Sequence, residues 1–125
     1  MKVTQALIAM CLFALGQIYA QDTALIAVSE GENKLNTYVI EREVPGAGNL
    51  SAEELKVISQ GSCAVLEQMG PKIQWQHSFV TGDKIYCVYK AENKELIEEH
   101  AKRGGFPSNV ISEVAAVISP ATAEQ

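Results

Sequence analysis

The chain has 125 residues, with 10 lysines and arginines against 15 aspartates and glutamates, for a formal net charge of −5. That balance excludes a nucleic-acid surface, which needs a basic footprint, and a polybasic contact with anionic lipid. The length accommodates one domain with one modest core, and not two.

Lys2 followed by the apolar run from Ala6 to Leu15, then Gly16 and Ile18-Tyr19-Ala20, reads as a secretory signal peptide over residues 1–20. The run is shorter than the roughly 20 apolar residues of a membrane span. A periplasmic or secreted domain is expected, with no membrane contact after cleavage. Residues 21–36 are polar, with Gly31 and Asn33, and read as a flexible lead-in. Thr37 to Arg42 is β-rich and ends at the turn signal Val44-Pro45-Gly46, which predicts a first strand.

Ser51 and Glu54 form a capping-box pattern, with Leu50 placed to staple onto Leu55. Leu55, Ile58, Ser62, Val65, Leu66 and Met69 then repeat at helical spacing until Gly70-Pro71 ends the helix. Ile73, Trp75, His77 and Phe79 alternate with Gln74, Gln76 and Ser78, the period of a half-buried strand. Thr81-Gly82-Asp83 is a hairpin loop leading into a strand from Ile85 to Tyr89. Asn93 caps a second helix that runs to Arg103 and stops at Gly104-Gly105. Val110 to Ile118 reads as a last strand, and residues 119–125 as a tail.

The order β-α-β-β-α-β, with right-handed crossovers, predicts an α+β ferredoxin-like domain over residues 37–118. Two helices cover one face of a four-stranded antiparallel sheet. With Trp75, His77 and Phe79 expected on one strand face, a sheet-to-sheet homodimer is the economical way to bury the second face.

Two cysteines follow the leader, Cys63 on the first helix and Cys87 on the third strand. A helix packs farther from a sheet than a disulfide spans, so buried free thiols are expected, with a bridge as the alternative. His100 shares a helix face with Leu96, Ile97 and Ala101. It is either a metal ligand or acid–base group near a sheet carboxylate such as Glu41, or a structural histidine bonded to backbone. No local metal-binding spacing exists, so a divalent ion would need ligands converging from separate elements. Trp75 and Tyr86 could stack on a small organic ligand, with Ser78 donating a hydrogen bond; the alternative is that they are core aromatics.

The segments Trp75 to Val80, Ile85 to Tyr89 and Glu99 to Pro107 together resemble a family of small bacterial domains of uncharacterised function, some assigned nickel binding. The resemblance spans about Tyr38 to Val114 and implies the ferredoxin-like fold, nickel as the candidate ion and, as its candidate metal ligands, the motif histidine His100 with Glu41 and Cys87 as possible neighbours. The nickel-associated branch also carries a histidine and, three residues later, an aspartate on the first helix. Aligned on Gly70, those positions hold Ser59 and Ser62 here. Two functional readings follow. The first is a small binding domain that takes a divalent metal or small ligand around His100. The second is a cofactor-free enzyme of the dimeric α+β barrel type, with His100 and Glu41 as an acid–base pair.

Overall fold

The computed structural model of the protein describes residues 34–125. The expected signal peptide and residues 21–33 of the lead-in lie outside the described residues. Strand β1 spans Asn36–Glu43 and leads through a 3-10 turn, Ala47–Asn49, into helix α1, Ala52–Met69. Strands β2, Ile73–Val80, and β3, Lys84–Ala91, form a hairpin. Helix α2, Lys94–Gly104, then precedes β4, Val110–Glu113, and a terminal 3-10 turn, Pro120–Glu124. The sheet is antiparallel in the order β2-β3-β1-β4, giving an α+β domain of ferredoxin-like topology.

Local chemistry sets the helix ends. The Ser51 hydroxyl accepts from the Glu54 amide at 3.2 Å, and the Ser51 amide donates to the Glu54 carboxylate at 2.7 Å. Those bonds hold the Glu54 carboxyl below the ordinary carboxylate range. Helix α1 stops at Gly70, whose φ of 81° is open to glycine and costly for other residues. Asn93 caps α2 by accepting from the Leu96 amide at 3.0 Å. Glu95 in its first turn and Lys102 and Arg103 in its last complement the helix dipole.

The core lies between the helices and one face of the sheet. Tyr38 and Ile40 of β1 and Ile85, Cys87, Tyr89 and Ala91 of β3 are buried there, together with Ile97 and Ala101 of α2. Burying each large aliphatic contributes about 1.5–3 kcal/mol. Helix α1 contributes less: Ser62 is its buried residue, while Leu55, Val65, Leu66 and Met69 are half-buried. A cavity remains between it and the sheet.

Three expectations need correction. Trp75, His77 and Phe79 do not share a face, because β2 carries a bulge at Gln76. Trp75 pairs with Tyr89, but His77 pairs with Val88 and Ser78 with Cys87. The extra residue reverses the alternation, so Trp75 and Ser78 face the helices while His77 and Phe79 face away. The last strand ends at Glu113, not Ile118. Glu113 pairs with Tyr38 and the Val114 amide donates to the Thr37 carbonyl at 2.8 Å, one residue short of the start of β1 at Asn36. Finally, both cysteines are free thiols, but Cys63 is exposed and Cys87 alone is buried.

Candidate functional site

The cavity occupies about 310 Å³ between α1, the covered sheet face and the turn after α2. Its walls are mostly apolar: Leu55 and Ile58 from α1, Val44, Trp75, Val80 and Ile85 from the sheet side, and Phe106 and Pro107 from the turn. Ile58 and Val80, 38% and 41% exposed, lie toward solvent. Arg42, Ser59, Ser62, Ser78, Cys87 and Tyr89 place polar atoms in the lining.

Each polar group is held by its element. The bulge brings Trp75 and Ser78 to one face, where the indole N–H donates to the Ser78 hydroxyl at 2.9 Å. Ser59 donates back to the Leu55 carbonyl at 2.9 Å. Ser62, in the middle of the inward stripe of α1, lies 3.3 Å from the Tyr89 hydroxyl and 3.2 Å from Nε2 of His100.

His100 is fully buried. Its ring lies 5.2 Å from that of Tyr89 and 5.5 Å from that of Phe106. Burial, and then the charge of Arg42, push the imidazole from its ordinary 6.5 down to about 4, so it is neutral at physiological pH. Among the described residues its Nδ1 has no hydrogen-bond partner. Burial likewise pushes the Tyr89 hydroxyl above its ordinary value.

Arg42 is the unusual member. It follows Tyr38 and Ile40 on the covered face of β1 and is 5% exposed. Its Nε donates to the Cys87 sulfur at 3.3 Å, and its Nη1 donates to the Pro107 carbonyl. The guanidinium carbon lies 5.6 Å from the centre of the Phe106 ring, a cation–π contact. Nη2 has no partner among the described residues. None of the ion pairs among them involves Arg42; they join Lys72 to Glu92, Lys84 to Glu41, Lys94 to Glu98 and Arg103 to Glu99. A guanidinium cannot shed its proton in a protein, so Arg42 is a buried positive charge without a carboxylate.

The turn that completes this wall depends on Gly104. A Cβ there would lie 2.1 Å from the Phe106 ring, so glycine is what lets the ring fold back toward His100 and Arg42. Gly105, with φ of 68°, supplies the left-handed step that follows.

The structure brings some of the sequence-predicted site residues together and separates others. Trp75, Ser78 and Cys87 line the cavity, and His100 reaches it through Ser62. Glu41 and Tyr86 do not: they pair across β1 and β3 on the opposite face of the sheet. There Glu41 bonds Lys84 Nζ at 2.5 Å, which raises the lysine above its ordinary value. The expected pairing of His100 with Glu41 is therefore split by the sheet itself, as is the expected stacking of Trp75 and Tyr86 on one ligand. Among the described residues, no group of three or more histidine, cysteine, aspartate or glutamate side chains could hold a metal ion. Arg42 escaped the sequence reading, although strict alternation from Tyr38 through Ile40 already pointed it inward.

The family described as nickel responsive protein SCO4226-like matches residues 38–114. The crystal structure of SCO4226 from Streptomyces coelicolor A3(2) is similar at a TM-score of 0.56. It covers 66% of this chain and 99% of its own, at 16% identity, which is a likeness of fold. No curated protein matches the chain.

Proposed function

This chain belongs to the SCO4226-like family, and from that premise we propose that it is a non-catalytic binding module for a small, mainly apolar organic molecule. The observation that carries this reading is the cavity: about 310 Å³, walled by Leu55, Ile58, Trp75 and Phe106, with a few convergent polar groups. Its size and lining are those of small-molecule sites in general.

The family name attaches nickel to this reading, and the donor set here does not fit that ion. His100 and Cys87 are the metal-type ligands on the covered face, and Arg42 donates to the Cys87 sulfur. A cation placed there would meet the guanidinium charge in a poorly screened interior. Ser59 and Ser62 stand where the nickel-associated pattern has a histidine and an aspartate, and a serine hydroxyl is a poor substitute for either. The enzyme alternative loses its acid–base pair for the geometric reason given above. A sheet-to-sheet homodimer in the periplasm or outside the cell stays part of the proposal. It would cover Phe79, 59% exposed on the open face.

Calorimetric titration with octanol, alongside Trp75 emission, tests the reading. Saturable binding with one site per chain is expected, and Ile58→Trp, which fills the cavity, abolishes it. Absence of saturable binding, or binding undiminished in Ile58→Trp, overturns it.

A further inference from the structure

We infer that the cavity selects small monocarboxylates, with Arg42 as the group that recognises the anion. The inference rests on the cavity being a ligand site, and it adds the chemical class of the ligand.

Three observations lead there. Arg42 lines the cavity and is 5% exposed, so its charge is largely removed from water. Two of its three nitrogens are occupied, Nε by the Cys87 sulfur and Nη1 by the Pro107 carbonyl, and neither acceptor is a carboxylate. Nη2 makes no hydrogen bond among the described residues, the neighbouring Tyr89 hydroxyl being engaged by Ser62, and no carboxylate among them forms an ion pair with the guanidinium. A buried charge is normally paired, and leaving one unpaired is costly. An anionic ligand supplies the missing partner through a charge-assisted hydrogen bond.

The rest of the lining defines the remainder of the ligand. A phosphate dianion calls for more than one positive charge, whereas Arg42 is the one cationic side chain in the lining, with both N–H groups of Nη2 free. The Ser59 and Trp75 donors are already used within the protein. One small carboxylate group matches that supply. Leu55, Ile58, Trp75 and Phe106 receive an apolar body. At about 30 Å³ per water-sized group, a volume of about 310 Å³ holds on the order of ten non-hydrogen atoms. A medium-chain fatty acid or a short aryl-alkanoate meets both conditions.

The test compares octanoate with octanamide, a neutral molecule of the same shape, by calorimetry on the purified protein. Octanoate is expected to bind at least about tenfold more tightly, the effect of one hydrogen bond to a charged group. That preference, read as the ratio of the two affinities, is expected to vanish in Arg42→Gln. Equal affinities in the unmodified protein would overturn the inference and leave the cavity reading intact. Failure of both compounds and of octanol would overturn the cavity reading itself. A preference that survives Arg42→Gln would remove Arg42 from the recognition. The ratio in the unmodified protein decides the anion preference even if the variant does not fold.

Discussion

Acidification should destabilise this fold through one side chain. His100 is held neutral by burial and by Arg42, with its imidazole pushed from 6.5 down to about 4. In the unfolded chain the same ring protonates near 6.5, so between those values the unfolded state binds a proton that the folded state refuses. The contribution is therefore fully present above about pH 6.5 and is lost as pH falls toward about 4. The shift spans about two and a half units at about 1.4 kcal/mol each, and most of it is expressed by about pH 4.5. The expected loss between about pH 7 and about pH 4.5 is on the order of 2 to 3 kcal/mol. In the unfolded chain carboxyl groups begin to protonate at the acid end of the same window, so the readout is a difference. Urea unfolding followed by circular dichroism at both pH values gives the loss for the unmodified protein and for His100→Gln. The glutamine keeps a polar side chain beside Ser62 and removes the titration. The unmodified protein should lose about 2 to 3 kcal/mol more than the variant. Equal losses would refute the claim that a buried neutral imidazole underlies the acid sensitivity.

Two further expectations concern the frame around the site. Ser51→Ala removes one half of the capping box and should lower stability by about 1 kcal/mol. In a domain of this size that is a fall of roughly 4–8 °C in Tm; an unchanged Tm would mean that the box does not anchor α1. In the folded protein Cys63 should react rapidly with a thiol reagent while Cys87 stays protected until unfolding. Peptide mapping by mass spectrometry distinguishes them, and equal labelling would contradict the burial of Cys87.

The elements were legible in the sequence wherever local chemistry decides them. Ser51 with Glu54, Asn93, Gly70 and Gly105 mark helix ends by capping and backbone freedom, and the structure uses all of them. The periodicity that aimed His100 inward was equally local. What escaped was decided between elements. Gln76 carries no mark of a bulge, neither glycine nor proline, because the bulge exists only in the register of β2 against β3. Val114 to Ile118 is as apolar as a strand, yet only Thr37 and Asn36 of β1 lie beyond its last pair with β4. Glu41 and Arg42 are neighbours in sequence and opposites in the sheet. The carboxylate drew attention as a ligand for His100, while the arginine beside it is the residue that lines the cavity.

The contact between Gly104 and the Phe106 ring ties the mutational fates of two positions. With a Cβ at Gly104 reaching 2.1 Å from a ring carbon, any side chain there has to expel the aromatic. Expulsion would also strip Arg42 of its cation–π partner and His100 of a ring neighbour. Bulk at Gly104 is admissible only if the Phe106 ring moves away or is lost. A lineage that drifts to alanine at 104 is thus steered toward a smaller residue at 106, and with it toward a wider, less aromatic wall around Arg42. The helix stop is at once a piece of backbone geometry and a control on the width and lining of the cavity.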